Sequence, residues 1–542
     1  MERPLADVAA DLNLRPDEWE AWGPGRAKIR LDAIGPRAPD SGGRLVLVSA
    51  ITPTPAGEGK TTTAIGLAQG LKAIGEQVVV ALREPSLGPI FGAKGGATGG
   101  GRSRVHPSDA IDLHFTGDLH AVTSAHNLLS ALVDAHLRFR KQPELHPNRV
   151  VWPRVLDMCD RALRHIVTGL DVGNGLVREA SFDITAASEV MAVLCLSDGL
   201  EDLKARLGRI IVGFSPGSEP ITAGDLSAVG PMSALLRDAA RPNLVQTTDG
   251  VPALIHGGPF ANIAHGCSSV LATRLGLSRA DWTVTEAGFA FDLGGEKFFD
   301  IKCRSAGLDT AVVVLVATVR ALRHHGAGRA TEAAVEAVQR GLDNLDKHVE
   351  NIQLFGEIPI VALNRFPDDT PDEIAAIRAR CEALGVPFAE ADPFGGGGAG
   401  CTELARLVTQ HAEPVSDPFR PLYGLEQPVI EKIEAVATSM YGASGVQLSA
   451  RARKDLATIE GVGLSHLPVC LAKTQSSLSD DPSLRGRPRD FEVTVQGIRL
   501  AAGAGFLVVL LGDIVRMPGL PRRPAALDIE LIDGVIHGLH KD

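Results

Sequence analysis

The sequence predicts an α/β fold: a mostly parallel, doubly wound sheet in a large amino-terminal domain, followed by two smaller α/β domains. Three observations carry that expectation. Short runs rich in Val, Ile and Leu recur along the chain, as strands buried on both faces of a parallel sheet require. Segments of helical period separate them, which is the alternation that builds parallel sheets. Gly, Pro and polar residues follow several of the runs, and in open α/β sheets ligands bind just beyond the carboxyl ends of the strands.

Residues 1–40 show only short helical patterns broken by Pro and Gly, and read as a surface lead-in without chemistry of its own. The first strong run, residues 44–52, leads into a turn made of Thr54, Pro55, Ala56, Gly57, Glu58, Gly59, Lys60 and Thr61, and a helix is expected over 61–73. A strand, a Gly-rich turn and Gly-Lys-Thr at the head of a helix form a phosphate loop, the cradle for a nucleoside triphosphate. The N–H groups of Gly57, Glu58 and Gly59 are expected to face phosphate oxygens, with the positive end of the helix and Lys60 adding charge. Thr61 would supply a hydroxyl to Mg2+. Thr54 stands where the usual pattern begins with Gly, and a strand-to-helix turn with an incidental Lys is the alternative.

The run at 77–82 is the next expected strand, and it completes a strand-helix-strand unit. Arg83, Glu84 and Ser86 follow it, so Arg83 should face the same crevice as Lys60. A permanent cation there can hold a small carboxylate or transferring phosphoryl oxygens; pairing with Glu84 is the alternative. Six glycines then surround Lys94 within 91–104, which points to backbone approaching a ligand, to a flap, or to a plain flexible loop. His114, Asp118 and His120 have a poor spacing for a metal on a helix but make a plausible site wall.

Runs at 209–214, 252–256, 282–285 and 311–317 read as further strands of the sheet, with loops at 256–266 and 286–298 beyond two of them. Glu286, Asp292 and Glu296 in the second loop suit Mg2+, a base, or plain capping and solvation. A charged helical stretch at 328–349 sets a domain edge near 345, giving domains 1–345, 346–430 and 431–542. The second opens with a strand at 358–363, whose loop caps a helix starting near Pro371, and a later strand ends in the Gly-rich loop 391–400. The third holds a polar loop with Lys473, Gln475, Ser479 and Asp480, candidates for a nucleotide's base or ribose, and then strands at 491–500 and 506–511.

The net charge of −11, with basic residues scattered, leaves no electrostatic footprint for nucleic acid. The acidic start of the chain does not read as a signal peptide, and the longest apolar runs are too short for a bilayer, so no membrane partner is expected and a cytoplasmic location is. Seven cysteines (Cys159, Cys195, Cys267, Cys303, Cys381, Cys401, Cys470) are spread without Cys-x-x-Cys pairs, which fits free thiols in a reducing compartment.

The segments TPTPAGEGKTTT, REPSLGP, KGGATGGG and HFTGDLHAVTSAHNLL resemble those of the formate–tetrahydrofolate ligases, also called formyltetrahydrofolate synthetases. FDITAASEVMAVLCL, HGGPFANIAHGC, EAGFAFDLGGEKFFDIKCR, LPVCLAKTQSSLSDDP and AGAGFLVVLLGDIVRMPGLP carry the resemblance in order over nearly the whole chain. It implies an ATP-dependent carbon–nitrogen ligase with formate, tetrahydrofolate and Mg-ATP as substrates, proceeding through formyl phosphate. A homotetramer activated by a monovalent cation, K+ or NH4+, is implied as well. By resemblance Phe366 is the family's pterin-stacking Phe, and Phe394 stands where the family usually has Trp; a ring held between two aromatics gains about 1 kcal/mol per contact. Arg102 replaces a Tyr after the Gly triplet, Ala399 a Glu and Gly497 an acidic residue, and the loop at 142–150 is shorter; all four bear on the folate side. Two other readings are a folate- or nucleotide-binding relative without synthetase activity, and a regulatory ATPase. The latter often has a second signature Lys early in its phosphate loop, which 54–58 lacks.

Overall fold

The computed structural model describes residues 2–35, 42–261, 263–327, 334–412, 418–512 and 514–540. Ten strands form the spine of its main sheet: β1 (Trp19–Ala21), β2 (Ala27–Ile29), β3 (Arg44–Ala50), β4 (Val78–Leu82), β5 (Asn243–Thr247), β6 (Pro252–Ile255), β7 (Trp282–Glu286), β8 (Val312–Ala317), β9 (Pro359–Asn364) and β10 (Phe388–Ala391). They lie in the order β1-β2-β5-β6-β4-β7-β3-β8-β9-β10. From β6 to β10 every neighbouring pair is parallel, and the β1, β2, β5 edge is antiparallel.

The period of two along each strand divides the core into two layers. Val46, Val48 and Ala50 of β3, with Val80, Val314 and Ile360, pack under helix α1 (Lys60–Ala73) and the helix Thr402–His411. Leu45, Leu47, Val313, Leu315 and Val361 face the opposite layer, which contains helix α2 (Ala334–Leu354) and the helix Pro371–Leu384. The latter begins where its sequence predicts, with Thr370 and Glu373 forming a reciprocal capping box.

Several expectations need correction. Residues 2–35 are no surface lead-in: β1 and β2 extend the main sheet, and the side chain of Lys28 is wholly buried in an ion pair with Asp118 at 2.6 Å. That pair makes Asp118 structural rather than part of a site wall. β3 and β4 are not neighbours, because β7 is inserted between them. The run at 209–214 forms a strand, Ile211–Phe214, but it pairs antiparallel with Pro220–Thr222 outside the main sheet. A short apolar run does not specify its partner, and here Ile211 and Phe214 pack against Ala502 instead.

The edge expected at 345 falls inside α2, which is continuous from Ala334 to Leu354, and β9 and β10 beyond it join the main sheet. Residues 328–333 of the expected charged helix lie outside the described residues. The 431–542 segment has its own four-stranded sheet: β11 (Gly445–Leu448), β12 (Val469–Ala472), β13 (Glu492–Ala501) and β14 (Phe506–Leu511), in the order β11-β13-β14-β12. All seven cysteines are buried and free, and no described helix is long and apolar enough to cross a membrane.

Candidate active site

The 54–61 turn connects the end of β3 to α1. Gly57 and Gly59 sit at φ +78° and +74°, a region that residues with a Cβ rarely adopt, and a Cβ on Gly59 would come within 2.5 Å of Asn364 Nδ2. Glu58 turns its side chain inward: Oε1 accepts the Thr54 N–H at 2.7 Å and the Thr54 hydroxyl at 2.9 Å, and Oε2 accepts the Thr318 hydroxyl. Thr54, in place of Gly, therefore adds a second donor to a buried carboxylate. Arg320 donates to the Gly57 carbonyl at 2.7 Å and Asn364 to the Glu58 carbonyl at 3.1 Å, so the ends of β8 and β9 hold the turn from behind. Pro55 and Ala56 form its exposed tip.

Strand order explains what faces this turn. Because β7 lies between β3 and β4, Glu286 at its carboxyl end is level with the turn after β3 and with Arg83 after β4. Glu286 is buried and accepts the Thr61 hydroxyl at 2.8 Å through Oε2, while Arg83 Nη2 stands 3.9 Å from Oε1. Arg83 also donates to the Pro259 carbonyl at 3.2 Å, and its Nε has no partner among the described residues. The expected alternative, pairing with Glu84, is not what forms. Glu84 lies buried near Asp118, Asp157 and Lys28, and burial pushes its carboxyl well above the usual range. Thr61, Arg83, Ser86, Lys94, Thr98 and Glu286 share a cavity of ≈ 90 Å3, room for a very small ligand. Burial lowers the Lys60 ammonium to about 8; Glu286 and Glu58 oppose the shift, and Arg83 and Lys94 add to it. Three basic side chains beside a positive-φ turn and a helix N-terminus make a site for anions.

The family model for formate–tetrahydrofolate ligase matches residues 1–540. The chain belongs to that family. Among its relatives, the formate–tetrahydrofolate ligase of Hyphomonas neptunium is 53% identical over 544 residues, covering 99% of this chain and 98% of the relative. That of Myxococcus xanthus is 53% identical over 545 residues, with 99% of each chain covered.

In this member of the ligase family the two rings expected on the folate side lie beyond the ends of β9 and β10. Phe366 lies half-buried beyond β9, with the Arg320 guanidinium 4.7 Å from its ring centroid, and the same Arg320 bonds the turn at Gly57. Phe394 lies beyond β10, 49% exposed, its ring against Gly100 and Gly101, where a Cβ would come within 3.1 Å and 2.8 Å of it. Its loop is anchored to α1: a Cβ on Gly66 would meet Pro393 at 2.7 Å and one on Gly70 would meet the Cys401 carbonyl at 2.8 Å. Arg102 and Ala399 belong to this neighbourhood, with the Arg102 N–H donating to the Phe394 carbonyl at 2.9 Å and Ala399 exposed five residues on. Gly497 is elsewhere, at a bulge of β13 facing Asp455 and Arg451.

The remaining candidates are mostly structural. Lys473 is wholly buried against Asp292 at 2.8 Å, Asp480 accepts the Thr494 N–H at 3.0 Å, Ser479 is buried beside it, and Gln475 is exposed. Glu296 is completely buried, and burial together with Asp300 raises its carboxyl well above the usual range. No cluster of His, Cys, Asp and Glu able to hold a metal occurs among the described residues, so His114 and His120 form no such site. Asn262 of the 256–266 loop is outside the described residues. Sequence reasoning underrated Glu286 and Lys94 and missed Arg320, Thr318 and Asn364. The usable signal was positional, since Thr318, Asn364 and Glu286 each stand at or just past the end of a predicted strand.

Proposed function

We propose that the protein joins formate to tetrahydrofolate with cleavage of ATP, giving 10-formyltetrahydrofolate, ADP and phosphate by way of formyl phosphate. The observation that carries this reading is the small cavity bearing Arg83, Lys94, Thr61 and Glu286 directly beside the 54–61 turn. It has the size and charge for a one-carbon carboxylate next to the place of a terminal phosphate.

In the first step a formate oxygen attacks the γ-phosphorus and ADP leaves. Little covalent work falls to the protein in such a transfer, so Lys60, Arg83 and Lys94 act by positioning and by neutralising the charge on the equatorial oxygens. In the second step N10 of tetrahydrofolate attacks the formyl carbon, the carbon–oxygen bond to phosphate breaks, and the amine loses its proton. Arg83 stays with the departing phosphate. The N–H groups of Glu58 and Gly59 cradle the β- and γ-phosphates, while that of Gly57 closes the turn by donating to the Thr54 carbonyl at 3.0 Å, with Thr54, Pro55 and Ala56 forming the outer side of the turn. Thr61 and Glu286, 2.8 Å apart, present the hard oxygens that Mg2+ takes, and the ion would offset phosphate charge when bound. Phe366 and Phe394 serve the pterin.

By family resemblance the reading also includes a homotetramer, activation by K+ or NH4+, and a cytoplasmic location, which seven buried free thiols suit. In it, residues 1–345 carry the phosphate loop, residues 346–430, whose β9 and β10 continue the same sheet, carry the ring-bearing loops, and residues 431–542 form a further α/β unit. A coupled assay for ADP release tests the proposal: release is expected only with formate and tetrahydrofolate both present, and release independent of formate overturns it.

A further inference from the structure

The segment that carries Lys94 into the cavity is clamped from outside the site by residues near the far end of the sequence. The Gly96 N–H donates to the Leu539 carbonyl at 2.8 Å, and Leu539 is buried. His540 Nε2 lies 2.9 Å from Asp109 Oδ1 and its Nδ1 3.5 Å from Asp112 Oδ2. Asp112, itself fully buried, accepts the Ala97 N–H at 2.9 Å and the Thr98 hydroxyl at 3.2 Å. Ala97 and Thr98 line the same cavity as Lys94. The fit at this contact is tight: a Cβ on Gly96 would come within 2.4 Å of His540 Nδ1 and 2.8 Å of Asp112 Oδ2. Glycine at 96 is thus what lets the 538–540 segment dock.

We infer that His540 is a positioning residue for Lys94. Asp112 faces His540 at 3.5 Å, and the charge of Lys94 also acts favourably on its carboxylate. With His540 seated between Asp109 and Asp112, the carboxylate is engaged from the outside and Lys94 is left to the cavity. Without it, Asp112 is a buried acid with one fewer partner, and Lys94 is drawn back toward it and away from the anion beside Arg83. Docking also fixes the backbone through the Gly96–Leu539 bond, two residues from Lys94. This inference rests on the formate-activating reading of the cavity.

The test compares the full chain with His540→Ala, with a form lacking residues 539–542, with Gly96→Ala, and with His540→Gln, which keeps one donor for Asp109. The first three are expected to raise the KM for formate at least about tenfold, as small misplacements in a positioned site do. The KM for ATP should stay near that of the full chain while amide exchange at 95–98 speeds up, and any fall in Tm should be largest for the shortened chain, which loses the buried Leu539. His540→Gln should recover most of the formate KM. An unchanged formate KM in both His540→Ala and the shortened chain overturns the inference, as does a parallel loss of formate KM, ATP KM and Tm, which marks a merely structural contact. A full chain without formate-dependent ADP release overturns the functional reading and this inference together; an active full chain with unaffected variants overturns this inference alone.

Discussion

Arg83 and Glu286 stand at the carboxyl ends of neighbouring parallel strands with 3.9 Å between Nη2 and Oε1, and the other oxygen of Glu286 takes the Thr61 hydroxyl at 2.8 Å. One carboxylate thus orients both the cation assigned to formate and the hydroxyl assigned to Mg-ATP. A carboxylate in an anion site repels its ligands, so its value lies in holding two partners in place.

From this relationship, Arg83→Ala should lower kcat/KM for formate-dependent ADP release by about 10²- to 10³-fold, the usual loss when one transition-state donor is removed. Glu286→Gln keeps the shape but weakens both contacts, and a charged hydrogen bond is worth about 1.5–3 kcal/mol, so KM for Mg-ATP should rise about tenfold or more. Steady-state kinetics with each substrate varied in turn checks both. Wild-type turnover in Arg83→Ala removes the residue from the mechanism.

The lowered Lys60 ammonium gives a pH dependence of definite sign. With its value near 8, Lys60 in the free enzyme loses its proton as pH rises through about 8, while a bound phosphate favours the charged form. Nucleotide affinity should therefore be flat below that pH and fall by up to about tenfold per unit above it, as linkage to one proton requires. Lys60→Arg, permanently charged, should abolish the slope even if it binds less well. Titration calorimetry with ADP on both sides of the midpoint reads this directly, and an affinity that rises with pH contradicts the assignment.

The two rings predict a split between substrates. Phe366→Ala and Phe394→Ala should each raise KM for tetrahydrofolate about fivefold, from roughly 1 kcal/mol of lost stacking, with little change for ATP. Phe366→Leu is a useful companion, because it keeps apolar cover over Arg320, which also bonds the turn at Gly57. Equal losses for ATP and tetrahydrofolate in all variants show that the rings only support the turn.

Much of the frame was legible because parallel strands buried on both faces leave continuous Val- and Leu-rich runs, as in 44–52 and 311–317. The turn at 54–61 and Arg83 were legible because local order and a strand end define them. Glu286 was not, since its role depends on β7 entering the sheet between β3 and β4, a pairing across more than 200 residues. β1 and β2, three residues each, were too short to show a period, and the buried Lys28 between apolar neighbours disguised β2 as surface. Lys473 and Asp292 looked like ligand groups for a complementary reason. Each is polar and follows a strand, but inside the protein they pair with each other, and Lys473 also donates to the Thr474 and Ser477 carbonyls.

Glu58 separates a structural from a ligand-binding role within the turn itself. Its side chain accepts from Thr54 twice and from Thr318 once, and none of these partners is a ligand. Glu58→Ala leaves the buried Thr54 N–H and two hydroxyls without their acceptor, at about 1–3 kcal/mol for an unsatisfied buried donor. The Tm should fall by several degrees, and nucleotide affinity should drop because the N–H groups of 58 and 59 are no longer preset. Glu58→Gln retains one acceptor oxygen for Thr54 and turns an amide toward Thr318, whose hydroxyl can accept as well as donate. It should keep most of the stability and affinity that Glu58→Ala loses. If Glu58→Gln were instead as damaging to turnover as Lys60→Ala while its Tm matched that of the wild type, the carboxylate charge would be acting on the nucleotide, and the strut assignment would be wrong.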